Sequence, residues 1–120
     1  TPPPPPREPA PAPRDEERIR AVLDQYASAY SRLDAAAASA IFPGVDRRAL
    51  SRAFDGLSSQ KVSLGACDVR VASETAIVDC AGTATWTPKI GSGTRTEPRR
   101  WQFRLRDVSG GWQIVTAKVR

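Results

Sequence analysis

The spacing of the two cysteines constrains the fold of this chain more than any other feature. They bracket the stretch CDVRVASETAIVDC, in which apolar side chains alternate on both sides of Ser73-Glu74. Folding the stretch about that centre aligns three pairs on one face of a two-stranded hairpin: Cys67 with Cys80, Val69 with Val78, and Val71 with Ala76. Residues opposed in a non-hydrogen-bonded antiparallel pair approach closely enough for a disulfide. We therefore predict a hairpin closed by a disulfide.

A disulfide at this position would also indicate where the protein is located. Disulfides persist in oxidising compartments and are rare in the cytosol, so we expect an extracytoplasmic domain. The bridge would close a loop of roughly 14 residues and stabilise the fold by about 3 kcal/mol in the chain-entropy picture. Cys67 and Cys80 lack the Cys-x-x-Cys spacing of a redox centre, which favours a structural role.

The first 14 residues have a different composition from the remainder. Eight of the eleven prolines lie within TPPPPPREPAPAP at the start of the chain. Such a run favours an extended, polyproline-like spacer, so we predict a linker over 1–14 and one domain over 15–120. The chain has no methionine, and we expect it to be a segment of a longer protein. A membrane anchor or signal peptide would then precede Thr1, since no apolar run here approaches ~20 residues.

The sequence after the linker changes from helical to strand periodicity. Apolar residues at helical spacing predict a long helix over about 15–34, a short helix over 35–41 and a third over 47–54, with Asp46 as its N-cap. From Lys61 the period becomes two, with a slip at Gly65-Ala66 that is typical of a β-bulge. The expected strands run from Lys61 to the hairpin turn, over 75–87, across RRWQFRLR (99–106), and over 112–119, with 88–98 as a loop. This order predicts an α+β domain with N-terminal helices packed against a four-stranded antiparallel meander.

The segments IRAVLDQYASAYSRLDAAAASAIFP and GGWQIVTAKV resemble the nuclear transport factor 2-like, or SnoaL-like, superfamily. The resemblance covers nearly everything after the linker. It implies a strongly curved sheet wrapped around the long helix as a cone, with a pocket opening at the wide end. Members of the superfamily include ketosteroid isomerase, polyketide cyclases and many non-catalytic binding domains. Some of these binding domains follow proline-rich spacers in bacterial membrane-anchored signalling proteins.

A ligand pocket inside the cone is one of two interpretations of the aromatic residues. Small residues on the second strand, Cys80, Gly82 and Ala84, could leave room beneath the long helix. The alternative is that the aromatic side chains fill the cone as core. The candidate residues for either role are Tyr26, Tyr30, Phe42, Trp86, Trp101 and Phe103.

Catalysis is weakly supported by the residues themselves. Tyr26 matches the position of the hydrogen-bond donor in isomerase-like members, eight residues before Asp34. The stretch RRWQFRLR, however, has no carboxylate at the place of the second acid, and the chain has no histidine. We expect the remaining candidate carboxylates, Asp24, Asp34, Asp55 and Asp79, to cap helices or form ion pairs, Asp79 with Arg70. We therefore predict no catalytic residue, no cofactor and no metal site.

A basic stripe gives a third function to consider. It comprises Arg99, Arg100, Arg104 and Arg106, within a stretch that contains the single acid Glu97. The stripe could attract a polyanion, but a solvated strand face explains it as well, and we do not expect nucleic acid as a partner. A homodimer through the outer sheet face stays open, although these arginines oppose it unless acids face them.

These observations favour a non-catalytic, extracytoplasmic ligand-sensing or protein-association domain. The resemblance implies that the spacer tethers it to a larger bacterial protein, such as a membrane-anchored signalling protein. The ligand or protein partner cannot be read from the sequence. The alternatives are a small-molecule isomerase or cyclase centred on Tyr26, and a polyanion-binding module that uses the basic stripe.

Overall fold

The computed structural model describes residues 13–91, 93–109 and 111–120. Three helices precede four strands: α1 (Pro13–Ser31), α2 (Ala35–Ile41), α3 (Arg47–Asp55), β1 (Leu57–Ala72), β2 (Thr75–Pro88), β3 (Arg95–Val108) and β4 (Gly111–Val119). Residues 1–12 of the predicted linker (1–14) lie outside the described residues. Helix α1 begins at Pro13, so the last two positions of the predicted linker belong to the helix. No helix in the described ranges is long and apolar enough to cross a membrane.

Aspartates at the helix starts determine where α2 and α3 begin. The Asp34 carboxylate accepts a hydrogen bond from the Ala37 backbone N–H at 3.0 Å, and Asp46 accepts one from Ala49 at 3.0 Å. Each carboxylate satisfies an N–H that has no partner within its helix. The second and third helices therefore lie where the sequence predicts them, and Asp34 serves as a cap.

The four strands form one antiparallel sheet in the order β1-β2-β3-β4. This α+β arrangement of helices on a four-stranded meander confirms the predicted fold class. The β1–β2 register pairs Cys67 with Cys80, and the Cys67–Cys80 disulfide is present with a Cα–Cα distance of 4.1 Å. A register shift between Leu64 and Cys67 confirms the bulge at Gly65-Ala66.

The core lies between α1 and one face of the sheet, which we call the inner face. Ile19, Leu23 and Tyr26 of α1 are buried there because they recur at helical spacing. The strands contribute side chains of one phase to the same layer, since alternate residues of a strand point to the same side. These strand residues are Ala76, Val78, Cys80, Trp101, Phe103, Leu105, Trp112 and Ile114.

Two strands begin earlier than the sequence predicts. β1 begins at Leu57, four residues before the expected start, because polar residues there still pair with the end of β2. β3 begins at Arg95, inside the stretch expected to be a loop. Its Pro98 is tolerated because β4 pairs with β3 only from Trp101 onward, so β3 is an edge strand at that point.

Candidate functional site

An aromatic cluster occupies the centre of the inner face. Tyr26 and Tyr30 stack with ring centroids 4.2 Å apart because residues four apart share one side of a helix. Tyr26 also meets the ring of Phe103 edge-on at 4.9 Å, and Tyr30 meets Phe54 edge-on at 5.4 Å. These contacts join α1, α3 and β3 into one aromatic layer.

The polar atoms of this cluster influence one another. Burial is the main cause that raises the pKa of Tyr26 far above its ordinary value, and burial also raises the pKa of Tyr30. The neighbouring Tyr30 side chain contributes to raising the pKa of Tyr26, and the indole N–H of Trp101 acts in the opposite direction. The Tyr26 side chain is therefore part of the core, whereas Tyr30 is half-buried.

The six candidate pocket residues fall into two groups. Tyr26, Trp101 and Phe103 are buried in the core. Tyr30, Phe42 and Trp86 are half-buried. The structure joins Tyr26 to Tyr30, Phe103 and Trp101, whereas Trp86 makes a separate contact with Arg99. Their role as ligand contacts stays a prediction.

A second inner-face cluster lies beyond Trp101, where β3 begins. Glu97 and Arg99 have the same strand phase as Trp101, and the Arg99 guanidinium donates to the Glu97 carboxylate. That guanidinium also lies 5.7 Å from the ring centroid of Trp86. All three side chains are half-buried. Sequence reasoning missed Glu97 because it assigned 88–98 to a loop, so the third strand does carry an inward carboxylate.

The four arginines of the predicted basic stripe lie on two different faces. Arg99 lies on the inner face, and Arg100, Arg104 and Arg106 lie on the opposite, outer face, because adjacent strand residues alternate sides. The outer face also carries Lys118 of β4 and Arg120, which directly follows β4; both pair with β3, and the stripe did not include them. The structure therefore divides the stripe and adds cations to its outer part.

The carboxylates considered for catalysis make structural contacts in several cases. Asp34 caps α2, and Asp79 accepts a 2.7 Å bond from Arg70, as the sequence predicts. Asp24 borders a surface cavity of about 400 Å³ between α1 and α2. Among the described residues, no group of three or more histidine, cysteine or acidic side chains could hold a metal ion.

Comparison with known proteins identifies the fold. No protein-family profile matches the sequence, and no curated protein matches it either. Solved structures do match. A nuclear transport factor 2-like superfamily protein from Salmonella enterica serovar Typhimurium superposes with a TM-score of 0.79 at 14% identity, covering 88% of this chain and 89% of that one.

Two further solved structures carry enzyme names. A candidate dehydratase of the same fold family from Streptomyces avermitilis gives a TM-score of 0.77 at 15% identity over 88% of this chain and 95% of that one. A hexachlorocyclohexane dehydrochlorinase from Novosphingobium barchaimii gives 0.75 at 6% identity over 89% and 86%. At these identities the likeness establishes the fold, which is the nuclear transport factor 2-like fold expected from the sequence.

Proposed function

We propose that this domain binds a small organic ligand on the inner face of its sheet, at the margin formed by Trp86, Arg99 and Glu97. The observation that carries the proposal is the half-buried Arg99–Glu97 pair beside Trp86. A core position would be filled by apolar side chains, whereas this margin offers an aromatic surface, a fixed cation and a carboxylate. A ligand with a ring and an acidic or carbonyl group would fit these features.

The different burial of Tyr26 and Tyr30 favours a non-catalytic role. Tyr26 is buried in the core against Tyr30 and Phe103, so a ligand that required its hydroxyl would have to open that packing. Tyr30 is half-buried and could contact a ligand without that cost. This arrangement supports recognition and sensing at the margin over chemistry at Tyr26.

The setting that we propose is extracytoplasmic, with the domain tethered through its proline-rich segment to a larger protein. The Cys67–Cys80 disulfide supports an oxidising compartment. Blocking free thiols in intact cells with a membrane-permeant maleimide, then assaying the two cysteines in the denatured protein, tests whether they lie in an oxidising compartment. Quantitative labelling of Cys67 and Cys80 without prior reduction would contradict it.

The second candidate function is a small-molecule enzyme of the dehydratase or isomerase kind. Two structural neighbours, a candidate dehydratase and a dehydrochlorinase, support it more than they support a sensing role. In this chain the groups available to such a reaction are the Tyr30 hydroxyl as a hydrogen-bond donor and the Glu97 carboxylate as a base. Both differ from the Tyr26-centred site that the sequence indicates.

One experiment separates the two functions. Cyclic ketones and aromatic carboxylic acids are titrated into isotope-labelled protein while product formation is followed in parallel. Binding that shifts the Trp86 indole signal and is lost in Arg99→Gln, with no product, supports sensing. Turnover that disappears in Glu97→Gln while binding persists supports the enzyme. Arg104→Gln, on the outer face, is the matched control, and shifts confined to the outer face would refute the inner-face site.

A further inference from the structure

A groove crosses the outer face of the sheet, opposite to the inner-face margin. Its volume is about 520 Å³. It lies where the bulge bends β1, and the small side chains of Ala66 and Ala81 keep it open. The lining residues are Ala66, Cys67, Asp68, Asp79, Cys80, Ala81, Arg100, Trp101, Gln102, Lys118 and Arg120. The groove thus touches all four strands.

Two arginines lie side by side at one end of this groove. Arg100 and Arg120 exchange backbone hydrogen bonds of 3.0 and 2.9 Å, so their side chains leave neighbouring strands on the same side. Lys118 registers with Gln102 on that side and lines the same groove. Like charges directly opposed in a sheet repel, so three converging cations destabilise the sheet unless an anion lies among them.

Among the described residues, no acidic side chain pairs with these three cations. In the described part of the chain, none of Arg100, Lys118 and Arg120 forms a salt bridge. The carboxylates that border the groove, Asp68 and Asp79, are both approached by Arg70, at 3.8 and 2.7 Å. Arg70 offsets one of these two negative charges and lies nearer to Asp79, so the acidic end of the groove stays negative and the end that carries the three cations stays positive.

We propose that this groove binds a compact oxyanion with more than one negative charge, of the phosphate-ester or pyrophosphate class. Guanidinium groups bind such oxygens through paired, charge-assisted hydrogen bonds, and Lys118 adds a third donor. The groove favours a compact anion over a polymer because Arg104 and Arg106, which a long polyanion along β3 would need, lie outside it. Asp68 and Asp79 lie at the β1–β2 side of the groove, where they repel any further negative charge, so a longer anion would not extend in that direction. The site is independent of the ligand proposed for the inner face.

The test is a titration of pyrophosphate and of inorganic phosphate into the protein at constant ionic strength, by calorimetry. Arg100→Gln and Arg120→Gln should each weaken pyrophosphate binding about tenfold, as expected for loss of a charge-assisted bond. Arg104→Gln is the matched control, since it removes one exposed arginine from the same strand and face, and it should leave the affinity within about twofold. Unchanged near-ultraviolet circular dichroism verifies that each variant is folded.

Three outcomes would overturn the proposal. The first is an absence of pyrophosphate binding by the wild-type protein at low salt. The second is an equal loss in Arg100→Gln and Arg104→Gln, with heparin or single-stranded DNA binding more tightly than pyrophosphate, which would indicate a polymer on the outer arginines. The third is binding to vesicles that contain phosphatidic acid with none to soluble pyrophosphate, which would indicate a membrane surface instead.

Discussion

Gly82 of β2 lies against the backbone of β1 so closely that a β-carbon at residue 82 would overlap the carbonyl oxygen of Ser63. The contact occurs just before the bulge, where β1 bends over its neighbour. Gly65 shows the reciprocal relationship, since a β-carbon there would stand 2.7 Å from the carbonyl oxygen of Ala81. The bend that opens the outer groove therefore depends on two glycines, one on each strand.

Gly82→Ala should lower the free energy of unfolding by about 2 kcal/mol, because the backbone of β1 must move to accommodate the methyl group. Urea titration followed by circular dichroism measures this change. Gly111→Ala is the control, since a β-carbon there would be 3.8 Å from the nearest atom, the carbonyl oxygen of Val108. Equal losses of stability in the two variants would show that the contact with the Ser63 carbonyl oxygen does not exclude a larger side chain at position 82.

Reduction of the Cys67–Cys80 disulfide should destabilise the domain by about 3 kcal/mol, since the bridge closes a loop of roughly 14 residues in the unfolded chain. Chemical unfolding with and without dithiothreitol measures the difference. The double variant Cys67→Ala/Cys80→Ala should resemble the reduced protein and lose its response to the reductant. If reduction left the stability of the wild-type protein unchanged, the structural role assigned to this disulfide would be wrong.

The parts of the fold that the sequence predicts are those determined by local signals. The hairpin follows from period-two alternation and the cysteine spacing, and Asp46 marks the start of α3 as a cap. The start of β3 at Arg95 could not be predicted, because Pro98 and the surrounding glycine, serine and threonine residues are typical of loops. Pairing with β2 overrides that local preference, and it includes a 3.0 Å hydroxyl contact between Thr85 and Thr96.

The candidate sites were harder to predict than the fold because they depend on register between strands. Glu97 joins Arg99 on the inner face only if β3 extends past Pro98. Arg120 faces Arg100 only after the register shift between Arg104 and Leu105 is included, and no residue pattern in β4 marks that shift. Alternation within one strand identifies which residues share a face, but it does not identify their neighbours on the next strand.

Loss of Arg70 should cost more than loss of either acid that it approaches. Asp68 and Asp79 pair directly across β1 and β2, so Arg70→Gln leaves two carboxylates opposed without a cation between them. We expect a decrease of up to about 1 kcal/mol in the free energy of unfolding, since all three side chains are exposed, and a smaller decrease at high salt. Thermal unfolding at two salt concentrations measures it. Adding Asp68→Asn to Arg70→Gln should restore most of the stability, and failure to do so would rule out the like-charge explanation.

The buried tyrosines should make the domain sensitive to alkali. Burial raises the pKa of Tyr26 and of Tyr30 in the folded state, whereas in the unfolded chain both ionise near their ordinary value of about 10. Protons are therefore released on unfolding above that pH. The stability that depends on keeping these hydroxyls neutral is complete below about pH 10 and is lost as the pH rises toward the folded-state pKa values.

Urea unfolding at a series of pH values up to about 11 measures how steeply the free energy of unfolding falls with pH. The double variant Tyr26→Phe/Tyr30→Phe has no hydroxyl to ionise at these two positions, so its stability should fall less steeply above pH 10. An identical slope in the variant would mean that other groups cause the alkaline loss.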